Sequence, residues 1–252
     1  MDLDSIEKNG IIFTIGDNDT FALWYLQNIE GYRRDVRVIN TALFATDWYI
    51  DDMKKKAFES DPIPSQLSHD KYKYGTNDYV IYNPTKKDTV DIKTWMNWIA
   101  NDSEVTKFTI PRSGQTVNTF PSKTVRITVD KAAVLANGVV QQKDADKIVP
   151  YIDMTIGDDI IYKNRLLMLD IIANNDWKRP IYFSGGSFGD DDYLWMKDYL
   201  QMDGVVYKLV PIKTKQDKDN PFDMGRVDAD LTYDIVQKWD WGNSGDPDIY
   251  HD

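Results

Sequence analysis

The fold is decided by residues 9–27, which read NGIIFTIGDNDTFALWYLQ. Ile11–Ile15 is a short run of β-branched and aromatic side chains bounded by glycines, which is typical of a strand buried on both faces. Gly16 ends this run. The four residues that follow are all common at helix N-caps, so a helix is predicted to begin there. Such a turn lies at the carboxyl end of its strand, where ligands bind in open α/β sheets.

The segments that follow predict two strand–helix–strand units. Asp35–Asn40 is a second strand, which should be parallel to the first and joined to it by a right-handed connection. An amphipathic helix from Ile160 to Ala173 leads to a strand at Ile181–Ser184. A helix that begins at Asp190–Asp192 then leads to a strand at Val205–Val210. We therefore predict an α/β fold with a mostly parallel, Rossmann-like sheet flanked by helices, with all four strands in that sheet and both units parallel.

Residues 61–150 have a different character, with many polar residues and prolines and only short apolar runs. Ile92–Ile99 has the spacing of a short helix, but we interpret the region as an irregular, β-rich insertion that pads the rim of the sheet. Asn137 and Gly138 predict a β-hairpin, because this pair favours a type I′ turn. We expect residues 1–252 to form one α/β domain that is part of a longer membrane protein.

Composition excludes several classes of function. The net charge of −11 argues against binding to nucleic acid or to an anionic lipid surface, which both require a basic face. The chain has no cysteine, so disulfides and thiolate chemistry are excluded, and its two histidines leave little material for a zinc site or a histidine-based triad. No run of 18 apolar residues is present, so we expect no direct insertion of this segment into a membrane. We predict no catalytic residues, no metal and no cofactor.

Two polar turns are candidate ligand sites. Asp17–Asp19 could bind a divalent cation or sugar hydroxyls, but helix capping explains the same residues, and we expect a structural cap first and a ligand surface second. Gly185–Ser187 follows a strand and could hold a phosphate. The full dinucleotide fingerprint is missing there, and the acidic triplet at Asp190–Asp192 would repel a phosphate.

Aromatic and basic residues give further candidates. Most tryptophans should be buried, but Trp177 and Trp241 lie near predicted loops and are better placed for a surface role, such as stacking on a sugar. Arg33 with Asp35, and Arg179 at the entrance of a strand, are expected to form local ion pairs or a solvated edge.

Several longer stretches together resemble a known family. They are Gly16–Thr20, Leu23–Gln27, Asp47–Ile50, Leu169–Asn175 and Trp177–Phe183. This combination is similar to large bacterial membrane proteins, common in Bacteroidetes, that were long named only as a domain of unknown function. Members of that family carry many transmembrane helices and then a soluble extracytoplasmic region. The family is related to animal protein O-mannosyltransferases and belongs with the GT-C class of glycosyltransferases.

The resemblance implies a role for the chain as the soluble domain of a GT-C-like glycosyltransferase, on the periplasmic face of the bacterial inner membrane. There it would contact a protein or glycan acceptor or brace the membrane part. The catalytic carboxylate of GT-C enzymes lies between transmembrane helices, so no catalytic residue is carried over and the isolated domain should be inactive. A carbohydrate- or protein-binding module without enzymatic activity is the alternative, and a hydrolase with paired aspartates is a third.

The binding residues that these observations select are Asp17, Asn18, Asp19, Asp47, Trp48, Asn175, Trp177, Arg179 and Ser187.

Overall fold

The computed structural model of the protein describes residues 2–86, 88–185, 189–214 and 224–238. Within these residues the strands are β1 (Ile11–Thr14), β2 (Arg37–Asn40), β3 (Tyr79–Tyr82), β4 (Val90–Asp91), β5 (Lys107–Thr109), β6 (Thr116–Phe120), β7 (Thr124–Thr128), β8 (Tyr151–Thr155), β9 (Ile160–Tyr162), β10 (Ile181–Ser184), β11 (Leu200–Asp203), β12 (Val206–Leu209) and β13 (Arg226–Val227). The α-helices are α1 (Gly16–Asn28), α2 (Asp47–Met53), α3 (Ile92–Ala100), α4 (Lys131–Ala136), α5 (Lys163–Asn175) and α6 (Ala229–Gln237). Short 3-10 helices lie at Leu3–Ser5, Leu43–Ala45, His69–Lys71, Glu104–Thr106, Gln142–Lys147 and Lys197–Tyr199.

The strands form three sheets. The largest has the order β13-β11-β12-β10-β1-β2, and the others have the orders β5-β6-β3-β9 and β4-β7-β8. Strand β1 pairs in parallel with both β2 and β10, so Ile12 lies between Val38 and Tyr182. The four predicted strands therefore share one sheet. The α/β class is confirmed, but the sheet is mixed, because β12 is antiparallel to both β10 and β11.

The largest sheet is covered on both faces, as the apolar run in β1 predicted. Ile11 and Phe13 enter the main core, whereas Ile12 points to a smaller core that includes Leu23 of α1. Helix α5 passes through the main core and buries ten of its thirteen residues. The prediction of an amphipathic helix from Ile160 was wrong in two respects. Residues 160–162 form the strand β9, and the helix is buried on nearly all sides, with the polar Lys163, Asp170 and Asn175 among its buried residues.

The second predicted parallel unit was wrong. No helix begins at Asp190–Asp192, because Leu194 and Trp195 have φ angles of 52° and 57°, which an α-helix cannot accommodate. Strand β11 follows, and a two-residue connection through Gly204, at φ +63°, turns it back into β12. This hairpin makes β12 antiparallel to β11, and β12 lies between β11 and β10 and pairs antiparallel to both.

Residues 61–150 also differ from the prediction. The expected hairpin is absent at Asn137 and Gly138, because these residues end α4. Gly138 has φ +70°, which suits the residue just beyond a helix C-terminus as well as it suits a tight turn. The region does not pad the rim of the sheet, since Trp95 and Phe120 are fully buried in the main core.

Candidate functional site

The predicted binding residues separate into two groups at opposite ends of β10. Asp17, Asn18, Asp19, Asp47 and Trp48 lie beyond the carboxyl ends of β1 and β2, and Asp19 reaches the last residue of β10. Asn175, Trp177 and Arg179 lie before the amino end of β10. Ser187, like Gly186 of the predicted phosphate turn and Trp241, is outside the described residues.

At the carboxyl end, the predicted helix cap was wrong. The residue at the N-cap of α1 is Ile15, and no side chain caps the helix. The carboxylate of Asp19 instead accepts a hydrogen bond from Oγ of Ser184 at 2.9 Å, which ties the first turn of α1 to β10. Thr20 donates its hydroxyl hydrogen to the carbonyl oxygen of Gly16 at 2.7 Å. Asp17 and Asn18 are exposed.

Asp47 and Trp48 lie at the start of α2. One carboxylate oxygen of Asp47 accepts a bond from the backbone N–H of Trp48 at 2.8 Å, and the other accepts from the N–H of Tyr74 at 3.2 Å. Because backbone donors occupy both oxygens, Asp47 holds this loop in place. Trp48 is 55% exposed and meets Tyr49 edge-on, with ring centroids 5.6 Å apart.

At the amino end of β10, a cavity of about 640 Å³ opens between the largest sheet and the sheet that contains β7. Its walls are mainly apolar side chains from β7, α4, α5 and β10, with polar residues around them. The apolar lining residues are Ile92, Ile127, Val129, Ala133, Val139, Ile172, Ala173, Trp177, Ile181 and Leu209. Its size is that of a typical ligand pocket.

A strained turn after α5 shapes one wall of this cavity. Asp176 and Trp177 have φ angles of 48° and 59°, a conformation that is uncommon for residues other than glycine and unusual for tryptophan. Asn175 holds the turn, because its side-chain amide donates to the carbonyl of Arg179 at 2.7 Å and accepts from the N–H of Arg179 at 3.2 Å. The Trp177 indole N–H donates to the carbonyl of Thr128 at 2.8 Å. Trp177 is only 8% exposed, so the predicted surface role was wrong, and the ring forms a fixed wall.

We expected Arg179 to form a local ion pair or a solvated edge, and this prediction was wrong. Its buried guanidinium donates to the carbonyl oxygens of Asn9 at 2.8 Å and of Pro62 at 3.2 Å, and to Oγ of Ser60 at 3.2 Å. Burial, with the nearby charge of Arg37, lowers the pKa of Arg179 to about 10. Arg179 therefore pins a loop to the sheet, and its guanidinium hydrogens are committed to that task.

The other arginine expectation was confirmed. Arg33 and Asp35 form an ion pair, with Nε and Oδ1 2.9 Å apart.

The carboxylates around the cavity also have partners. Asp91 accepts from the backbone N–H groups of Lys93 and Thr94 at the start of α3, and Asp130 accepts from two N–H groups at the start of α4. Asp176 pairs with Lys93 at 2.5 Å. Hydrolysis by two carboxylates requires an acid and a base that are free to act on one bond. Each of the three carboxylates of this lining has a structural partner.

The sequence did not predict half of the residues that line this cavity. Thr128, Asp130 and Ala133 come from the region that was interpreted as an insertion. One signal was present, because Asp130 precedes a run of good helix formers as an N-cap residue does. Among the described residues, no group of three or more histidine, aspartate or glutamate side chains is placed to hold a metal ion.

Comparison with known protein families gives a match over most of the chain. The family described as TMEM260-associated domain 2 matches residues 1–231. No curated protein and no solved structure shows a significant match to the chain. Within the described residues, the helices are all too short or too polar to cross a membrane.

Proposed function

The chain belongs to the TMEM260-associated domain 2 family, and from this premise we propose that it is the acceptor-contacting domain of a membrane glycosyltransferase. The parent protein is a bacterial GT-C-like enzyme related to protein O-mannosyltransferases, and the domain lies on the extracytoplasmic side of the membrane. The family match supports the link to glycosyltransferases, and the cavity before β10 supports the contact with an acceptor.

The observation that carries the proposal is the chemistry of the cavity. Its walls are apolar, and its carboxylates and the amide of Asn175 already bond to protein groups. A sugar would need free polar side chains to replace the water around its hydroxyls, because unpaired polar groups are costly to bury. The cavity therefore suits apolar side chains of an acceptor polypeptide better than it suits a glycan.

The cavity also has the rigidity that favours binding. Trp177 is held through its indole N–H and through its carbonyl, which accepts from Asn137 Nδ2 at 3.1 Å. A preformed wall does not have to be ordered when a ligand binds, so less of the interaction energy is lost. Strained backbone of this kind is often retained at ligand sites.

The test is a binding titration of the chain with two uncharged peptides, one with leucine and phenylalanine around a threonine and one with serine in their place. The readout is the NMR resonance of the Trp177 indole N–H, identified with a Trp177→Phe variant. We expect the apolar peptide to shift this resonance. Ala133→Phe should fill the cavity and abolish the shift. Ala132→Phe is the matched control, because Ala132 is exposed on the same helix and does not line the cavity.

Two results would contradict this assignment. Unchanged binding of the apolar peptide to Ala133→Phe would exclude the cavity as its site. Binding of methyl α-mannoside, with loss in Trp48→Ala and no response to the peptide, would favour the second candidate function, a carbohydrate-binding module. The half-exposed Trp48 ring is the observation that favours that candidate, because aromatic rings can stack on apolar faces of ligands.

The proposal also predicts that the purified chain transfers no sugar from a lipid-phosphate-sugar. Contact with the acceptor and the transfer step belong to different parts of the parent protein. Turnover that persists through further purification, and that is lost when the chain is unfolded, would contradict this division of roles.

A further inference from the structure

Helix α1 exposes the side chains that a helix normally buries. Phe21 and Tyr25 of α1, and Ile29 directly after its last residue, follow one another at four-residue spacing and are 53%, 55% and 69% exposed. Residues four apart lie on the same side of a helix, so they form one continuous stripe, which we call the α1 stripe. Trp24 extends it, since its ring stacks on Phe21 with centroids 5.7 Å apart.

The buried side of the same helix is largely polar. Thr20 and Gln27 are buried together with Leu23. Gln27 donates from its side-chain amide to the carbonyls of Arg33 and Val36, each at 2.9 Å. The helix is therefore anchored to the sheet by these hydrogen bonds, by the buried Leu23 and by the partly buried Trp24 and Leu26. Phe21 and Tyr25 lie on the exposed side, outside this packing, so the anchor of the helix does not explain them.

The charged residues in the sequence of α1 and its flanks have one sign. From Asn9 to Tyr32 the sequence contains Asp17, Asp19 and Glu30 and no lysine or arginine. The basic residues that follow are committed to carboxylates, since Arg33 pairs with Asp35 and Arg34 lies 3.7 Å from Glu59. Single exposed apolar residues are ordinary, but a contiguous stripe with an acidic border is typical of an interaction surface.

We propose that the α1 stripe is a docking surface for a basic amphipathic segment of another polypeptide. The apolar face of such a segment covers Phe21, Tyr25 and Ile29, and its lysines or arginines face the acidic border. A second copy of this chain fits less well, because two acidic borders would repel each other. An anionic lipid surface is disfavoured for the same reason. This inference rests on α1 alone and is independent of the cavity before β10.

The test is fluorescence anisotropy of a labelled helical peptide that carries leucine on one face and lysine on the other, titrated with the chain. We expect binding that weakens at high salt. Phe21→Ser/Ile29→Ser should weaken it by about tenfold or more, because the variant loses the apolar contacts. Val105→Ser/Phe108→Ser is the matched control, since these residues are also exposed, at 69% and 41%, and lie elsewhere on the surface. It should bind as the wild type does.

A charge reversal gives a second, independent readout. A peptide with glutamate in place of lysine should not bind the wild type, but it should bind Asp17→Lys/Glu30→Lys. Equal binding of both peptides to the wild type, or equal loss in the control variant, would overturn the proposal. So would binding to anionic vesicles but not to the lysine peptide, or salt-insensitive self-association through the α1 stripe in sedimentation experiments. Circular dichroism establishes that each variant is folded.

Discussion

Helices α1 and α5 have the same length and opposite relations to the core. Both have thirteen residues, but α5 buries ten of them and α1 buries three. The α5 residues inside the core are mostly aliphatic, and the polar Asp170 among them is hydrogen-bonded. In α1 the polar side chains Thr20 and Gln27 face inward, and the rings of Phe21 and Tyr25 face the solvent.

This difference gives the two helices different roles, because α5 is part of the scaffold and the outer side of α1 is surface. Helix α5 holds the main core together, and its last residue, Asn175, fixes the strained turn that shapes the cavity. Helix α1 covers the smaller core on the other face of the sheet with Leu23, the partly buried Trp24 and Leu26, and two hydrogen-bonded polar residues. The outer side of α1 is thereby free to meet a partner.

The largest expected effect tests the scaffold role of α5. Leu169→Ala removes a fully buried side chain from the main core and should lower the free energy of unfolding by about 2–5 kcal/mol, because it leaves a cavity. Ile29→Ala, at the C-cap of α1, should change it by less than about 0.5 kcal/mol. Urea unfolding monitored by tryptophan fluorescence measures both. A comparable loss from the two variants would contradict the contrast between the helices.

The start of the fold was predictable because its signals are local. The apolar run of β1, the glycine after it and the next apolar run specify a parallel β1–β2 pair through residues that are close in sequence. The end of α1 also has a local signal, because Gly31, which has φ +67°, follows shortly after it. Short-range chemistry determines each of these features.

The other half of the fold depends on signals that are ambiguous or non-local. Asn137 and Gly138 suit a hairpin and a helix C-terminus equally well, and only packing decides between them. The positive φ angles at Leu194 and Trp195 have no signature in residues of that type, so the missing crossover helix could not be foreseen. The cavity could not be predicted from the sequence, because its walls combine residues of α5 with residues of β7 and α4, which are distant in sequence. Exposure of the α1 stripe was also unpredictable, since aromatic residues on a helix are usually core.

A second test addresses the polar interior of α1. Gln27→Leu places an apolar side chain at a buried position, which would stabilise an ordinary amphipathic helix. Here we expect a loss of about 1–3 kcal/mol, because the carbonyl of Val36 loses its described donor and that of Arg33 keeps only the N–H of Val36 at 3.2 Å. Thermal and urea unfolding measure the change. A more stable variant would mean that water or another donor satisfies these carbonyls, and the described anchor of α1 would then be wrong.

A third test addresses the buried polar group of α5. Burial raises the pKa of the Asp170 carboxyl, against the hydrogen bonds from Ser65 and from the N–H groups of Leu67 and Gln66 that lower it. The folded state therefore holds the Asp170 proton to a higher pH than the unfolded chain does. Between the two pKa values unfolding releases a proton, so this group makes the free energy of unfolding fall as the pH rises.

Asp170→Asn removes that dependence. The free energy of unfolding of the wild type minus that of Asp170→Asn should decrease as the pH rises from below the ordinary aspartate pKa to above the raised one. It should then be constant, and its total change is about 1.4 kcal/mol for each unit of pKa difference. Urea unfolding across this pH range measures it. A difference that increases with pH would show that the hydrogen bonds outweigh burial and that the folded-state pKa is lowered.

The smallest expected effect concerns the single described side-chain bond from the first turn of α1 to β10. Ser184 donates to Asp19 at 2.9 Å, and Asp19 is partly exposed, so loss of either group should lower the free energy of unfolding by about 1 kcal/mol. If Asp19 acts through this bond, Asp19→Ala, Ser184→Ala and the double variant should have nearly equal stabilities, with a coupling energy close to the single losses. Additive losses would mean that the two residues act separately. A rise in melting temperature with calcium or manganese in the wild type, absent in Asp19→Ala, would assign the carboxylate to a metal site, because a ligand that binds only the folded state stabilises it.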